Sequence, residues 1–241
     1  MKNIIFFLSF CCIGHVSKAL QEFTSDNIEY AVIKDTDGFV NIRKEPNNTA
    51  AILGKVYKYN IFSCEPNGTN WWKVLQVDNH NKSNWLQGYI YKDRATLLKR
   101  WDVIKSRNAL LDSGIFKTDS LVVVIKRKNF NPQKHKLTYQ TNYPDELVKI
   151  DGKLYWGTDG AIPKKVISSV KIIKSNTVIQ LPQTAFDDLY EPNFDSISVC
   201  RGPENTFYVL MLNSDGAGGY YIIWILKDNK YINRYIDDGE E

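Results

Sequence analysis

Histidine, cysteine and methionine are scarce in this chain: three, four and two residues among 241. There is no Gly-x-Ser-x-Gly turn, no phosphate-cradling glycine loop and no paired Cys/His spacing of the kind that holds zinc. Without nucleophile-base pairs or ligand sets, no catalytic activity, no cofactor and no metal site is expected. His80 lies in a polar stretch and His135 between lysines, neither beside a nucleophile motif, and both read as solvated. Excess charge is scarce too, with 31 basic residues against 27 acidic ones. That gives no electrostatic case for nucleic acid or an anionic membrane as partner. Beyond residue 14 no apolar run approaches the roughly 20 residues a bilayer demands, so no stable membrane insertion is expected.

The one long apolar run is at the start. Met1-Lys2-Asn3 precedes Ile4 to Gly14, and small residues follow at Ser17 and Ala19, the pattern of a secretion signal cleaved after Ala19. Residues 1–19 are therefore expected to be lost from a secreted or periplasmic protein. Cys11 follows Phe10 rather than a small residue, which argues against lipid attachment. Lys2 and Lys18 leave with the signal, bringing the charge closer to neutral, and so do Cys11 and Cys12. Cys64 and Cys200 remain. Either they pair, which requires Cα atoms within about 7 Å across two docked units, or they pack separately as small buried hydrophobes.

What the chain has in abundance is strand chemistry broken by turns. Asp37-Gly38 is a turn dipeptide, after which Phe39 and Asn41 alternate with Val40 and Ile42. A second strand runs around Gly54, where a kink or close approach is expected. A third runs from Tyr59 to Cys64. Glu65-Pro66-Asn67-Gly68 then turns the chain into Trp71-Trp72-Lys73-Val74, where period two puts Trp72 and Val74 on one face and Trp71 and Lys73 on the other. Burying Trp72 turns Trp71 outward.

These residues resemble the bacterial SH3-like (SH3b) family. The resemblance rests on Gly38, Val40-Asn41-Ile42-Arg43, Pro46, Trp71-Trp72-Lys73-Val74 and Gly88-Tyr89-Ile90. Asn60 departs from it, standing where the family has glycine, though asparagine tolerates the left-handed conformation. The polar insertion Asp78 to Asn84 also departs from it, lengthening a loop. The resemblance implies a five-to-seven-stranded barrel over residues 30–98 of an exported bacterial protein that contacts cell-wall peptide or packs beside another domain. The module is a complete set of strands and turns, expected to fold on its own. In a bacterial host the Asn-x-Ser/Thr sequences at Asn47, Asn67 and Asn81 are incidental.

Residues 99–115 read as a connector in which Thr96 to Ile104 either closes the barrel or forms a short helix. Residues 116–241 read as a second, antiparallel β domain, so the chain as a whole is all-β. Strands are expected at Leu121 to Lys126, Lys134 to Tyr139, Glu146 to Ile150, Lys153 to Trp156, Val166 to Ile173 and Thr177 to Leu181. Asp151-Gly152 and Ser175-Asn176 supply hairpin turns. Thr184 to Tyr190, with a capping threonine and Pro192 beyond, reads as a helix. Ser196 to Cys200, Phe207 to Leu212, Tyr220 to Lys227 and Tyr231 to Ile236 form a four-strand meander. Tyr220 to Leu226 is apolar on both alternating sets, so it should be a central strand covered on both faces.

Two places carry candidate binding residues. Tyr57, Tyr59, Trp71 and Tyr91 form a groove for an extended cell-envelope peptide or glycan, or else pack in the barrel or against the second domain. Asn213, Asp215, Gly216, Gly218 and Tyr220 belong to a glycine-rich loop that is either a plain hairpin connection or a calcium loop lacking the alternating acids of a strong one. That loop faintly resembles the Ser-Gly-x-x-Tyr loops of periplasmic lysozyme inhibitors, which implies a second reading: an inhibitor or immunity-type module that binds a secreted or periplasmic protein. The first reading, a non-catalytic binding protein of the cell envelope, is preferred.

Overall fold

The computed structural model describes residues 28–77, 86–98, 103–104, 107–110, 112–117, 121–213 and 218–237. The signal segment and its cleavage site, His80, Asp215 and Gly216 lie outside the described residues. The chain is all-β and its strands pair antiparallel. Among the described residues no helix is long and apolar enough to cross a membrane.

Seven strands form the first sheet: β1 (Glu29–Ile33), β2 (Phe39–Arg43), β3 (Ile52–Tyr57), β4 (Ile61–Glu65), β5 (Trp71–Val77), β6 (Gly88–Tyr91) and β7 (Ala95–Leu97). Their order is β3-β2-β6-β5-β4-β1-β7. The sheet coils round one core to which both end strands contribute, β3 through Val56 and β7 through Ala95 and Leu97. Alternation decides which residues enter it. Val40 and Ile42 point in from β2 and Trp72 and Val74 from β5, while Phe39, Asn41, Arg43, Trp71 and Lys73 stay partly exposed on the other face. Gly54 faces Leu86, whose Cδ2 would lie 2.3 Å from an added Cβ, and the β2–β3 register shifts nearby between Ile42 and Arg43. The turn before β4 differs from expectation. Tyr59, not Asn60, takes the left-handed conformation, at φ 70°, a costly one for a bulky side chain. Asn47 and Asn67 each cap their own turn, with Oδ1 accepting from the backbone N–H of Thr49 and Thr69 respectively.

The rest of the chain comprises β8 (Val103–Ile104), β9 (Arg107–Leu110), β10 (Ser113–Lys117), β11 (Leu121–Asn129), β12 (Leu137–Tyr139), β13 (Leu147–Ile150), β14 (Lys165–Lys174), β15 (Thr177–Gln180), β16 (Ser198–Arg201), β17 (Thr206–Asn213), β18 (Tyr220–Lys227) and β19 (Lys230–Asp237). They form a sheet β15-β14-β11-β10-β9, a sheet β19-β18-β17-β16-β8 and the pair β12-β13. Hairpin turns fall where the sequence marks them. Asp151-Gly152, Ser175-Asn176, Glu204-Asn205 and Asp228-Asn229 all have positive φ at both positions, the backbone of a primed turn that matches strand twist.

The C-terminal meander β16 to β19 is the middle layer of three. One alternating set, including Val209, Met211, Ile222, Trp224 and Ile236, packs against β11 and β14. The other set, Tyr208, Leu210, Ile223, Ile225 and Tyr235, packs against Tyr30, Val32 and Ile61 of the first sheet. β18 is thus covered on both faces. Because β1 and β4 bury residues on both faces as well, the seven-stranded unit is joined to its neighbour by an apolar contact. Cut out alone, it would keep its own core and expose Tyr30, Val32, Ile61 and Leu98.

Three further expectations are corrected. The segment 99–115 is not a plain connector: β8 and β9 lie in it and β10 begins there, paired into the two five-stranded sheets, while β7 closes onto β1. The chain over 184–190 is a single 3-10 turn, Gln183–Ala185, without a side-chain cap. Leu189 and Tyr190 instead bridge to Trp156 and Val166, and Trp224 Nε1 donates to the Ala185 carbonyl at 2.9 Å, so tertiary bonds override the local helix signal. Lys153 to Trp156 forms no strand; its two isolated bridges go to different partners, Lys153 to Ile150 and Trp156 to Leu189. Cys64 and Cys200 are unbridged and buried, with burial pushing the Cys200 thiol up to about 12 and the Cys64 thiol higher still.

Candidate functional site

The outward face of the first sheet carries a groove of about 270 Å³. Its aromatic wall is the cross-strand pair Trp71 and Tyr91, which the β5–β6 register sets directly opposite each other. Their ring centroids are 5.4 Å apart at 75°, an edge-to-face contact. Phe39, Asn41 and Arg43 line it from β2. All three are there for the same reason: Val40 and Ile42 are drawn inward, so the odd-numbered residues must face out.

The polar end of the groove is organised by Asp35. Its carboxylate accepts from the Asp37 backbone N–H at 3.0 Å and is bonded by the Arg94 guanidinium. The Asp37 amide, then Arg94, hold its pKa below the ordinary value despite the opposing effect of burial. Arg43 donates to the Ala50 carbonyl at 2.8 Å, which fixes one side of the guanidinium and leaves other donors. Asn41 is different: its Oδ1 is buried and has no hydrogen-bond partner among the described residues. Leaving a buried acceptor unpaired costs about 1–3 kcal/mol. Asn41 also lines the groove, so its amide is a place there for a ligand's N–H or O–H once the side chain turns towards it.

The four aromatics expected to form the groove separate. Trp71 and Tyr91 line it. Tyr57 is 55% exposed and lies at its margin, 6.3 Å from Phe39 across the β2–β3 pair, with Lys55 Nζ over the Phe39 ring at 3.8 Å. Tyr59 is elsewhere, between the two halves of the chain. Its hydroxyl accepts from Lys227 at 2.5 Å, and Glu204 receives Lys227 at 2.8 Å and Lys58 at 3.0 Å. Among the described residues of the glycine-rich loop, Tyr220 is fully buried and donates to the Tyr190 carbonyl at 2.9 Å. Asn213 is also fully buried and caps the Asn193 N–H at 2.8 Å. An added Cβ on Gly218 would stand 2.6 Å from the Thr158 backbone. These three are packing residues, not a contact surface, because β17 and β18 draw both loop ends into the core.

Phe39, Asn41 and Arg43 were visible to period-two reasoning as an outward set but were not singled out. Asp35 and Arg94 are 59 residues apart and meet only because β1 pairs with β7; no local pattern announces that. No family model, curated protein or solved structure matches this chain significantly.

Proposed function

We propose that this is an exported, non-catalytic binding protein that takes an extended cell-envelope peptide in the Trp71–Tyr91 groove. The observation that carries the reading is the unpaired, buried Oδ1 of Asn41 beside that aromatic wall. A peptide supplies what the groove lacks. Its backbone N–H satisfies Asn41, its apolar side chains lie against Trp71 and Tyr91, and its carboxylates and amines meet Arg43, Arg94 and Asp37. Aromatic rings give such contacts at low entropic cost. The motif residues Asn41, Arg43 and Trp71, on which the resemblance to SH3b modules rests, are the ones that converge on the groove. The secretion signal read at residues 1–19 agrees with a ligand outside the cytoplasm.

The test is a titration of the chain with short stem peptides released from peptidoglycan and, separately, with glycan strands stripped of peptide. The reading expects binding to the first through the groove. Peptide-free glycan competing for Trp71, or no binding of any stem peptide, contradicts it.

A further inference from the structure

A second cavity, of about 150 Å³, lies beside the β12–β13 pair in the C-terminal half. Its wall holds Phe130, Tyr155 and Tyr190 in edge-to-face contact: 5.3 Å at 88° for Phe130 and Tyr190, and 5.7 Å at 89° for Tyr155 and Tyr190. His135 stacks on Phe130 at 4.7 Å, and its Nδ1 is 2.6 Å from Asp151 Oδ2. Asp151 Oδ1 accepts from the Lys136 backbone N–H at 2.8 Å, so the carboxylate is fixed on both sides. With Nδ1 engaged by the carboxylate, Nε2 is left for another partner, and among the described residues it has none.

Opposite stand Lys153 and Asp187, joined at 2.6 Å, and Asp188, bonded by both terminal nitrogens of Arg234 at 2.6 Å each. The carboxylates of Asp151, Asp187 and Asp188 balance the cations Lys128, Lys153 and Arg234. A phosphate or an amine therefore finds no excess charge of opposite sign. No three His, Cys, Asp or Glu side chains among the described residues group closely enough to hold a metal ion. The volume falls well below the roughly 300–1,000 Å³ of drug-sized sites, which limits the occupant to one small ring.

We propose that this cavity binds a single ring of a neutral sugar. Hydroxyls each donate and accept, which suits a cavity lined by both donors and acceptors: Lys153 Nζ, Asp187 Oδ1 and the His135 ring. The apolar face of the ring lies against the aromatic wall. This site is separate from the Trp71 groove and does not depend on what occupies it.

Saturation-transfer NMR on the full chain tests it, with glucose, galactose and N-acetylglucosamine as sugar probes and inorganic phosphate and propylamine as charged ones. Transfer to at least one sugar is expected, weakened at least tenfold by His135→Ala and by Asp187→Asn and unchanged by Trp71→Ala. Thermal melts of both cavity variants identify any that has lost its fold, and Asp187→Asn, a near-isosteric change whose ion-pair partner Lys153 is exposed, keeps the test open if His135→Ala unfolds. Absence of transfer to all three sugars overturns the proposal. So does stronger binding of phosphate or propylamine, or sugar binding that survives in a folded cavity variant.

Discussion

Trp71 and Trp72 are neighbours in sequence and opposites in environment: Trp72 is 5% exposed in the core of the first sheet, while Trp71 stands outside it, edge-on to Tyr91. Replacing each by alanine separates fold from surface. Trp72→Ala is expected to cost about 3–5 kcal/mol, the range for a large aromatic removed from a core. Trp71→Ala should cost less than about 1 kcal/mol, as for a substitution away from the core. Urea melts of the full chain give both values, and equal losses would mean that the two faces of β5 are assigned wrongly.

Asn41 offers a sharper dissociation. Its buried Oδ1 is unpaired in the free chain, so Asn41→Val removes a group that costs stability and substitutes a strand-favouring side chain. The variant should be as stable as the parent or more stable by up to about 1 kcal/mol, and should bind stem peptide more weakly. A clear drop in melting temperature would show that Asn41 has a structural partner.

The contact between the two halves of the chain should be sensitive to acid. Lys227 and then Lys58 hold the Glu204 carboxyl at about 2, against an ordinary value of 4.5. A carboxyl depressed on folding stabilises the native state above its unfolded value, and that contribution is lost as pH falls from 4.5 towards 2. Because Glu204 is exposed, solvent and salt screen the effect. Glu204→Gln is expected to flatten the part of the stability curve between those two pH values, most visibly at low ionic strength. An unchanged curve would remove this cluster from the acid response. The same cluster embraces Tyr59, whose φ of 70° is left-handed, so Tyr59→Gly should relieve backbone strain while losing the Lys227 bond.

Cys64 and Cys200 should be silent in the native protein. Burial raises both thiols far above neutral pH, and neither is bridged. Alkylation read by mass spectrometry is expected to leave both unmodified under native conditions and to modify both after denaturation. Labelling of Cys200 in the native state would mean that the contact containing Tyr208 and Ile223 opens readily.

Much of this was legible in the sequence because sheet structure writes itself in period two. Tyr220 to Leu226, apolar on both sets, is covered on both faces, and Val40 and Ile42 turn Phe39, Asn41 and Arg43 towards one groove. Paired turn residues such as Ser175-Asn176 fell where left-handed backbone was needed. What escaped were relationships made by packing. Lys58 and Glu204 are 146 residues apart. The choice for Tyr59 between the groove and the second domain falls to the second domain, which nothing local reveals because the strand beside it belongs to the other half. Thr184 to Tyr190 carries good helix signals, which lose to bridges with Trp156 and Val166. Tyr220 looked like part of a loop surface because the strand beyond it begins with its ring already in the core.

The most direct test of the account is a calorimetric titration of stem peptide into the full chain and into Trp71→Ala, with melting curves on the same preparations. A groove that recognises peptide through the Trp71–Tyr91 wall predicts a loss of about 1–2 kcal/mol in binding free energy, the size of a modest hot spot, with the melting midpoint nearly unchanged. Undiminished peptide affinity in a folded Trp71→Ala would contradict it.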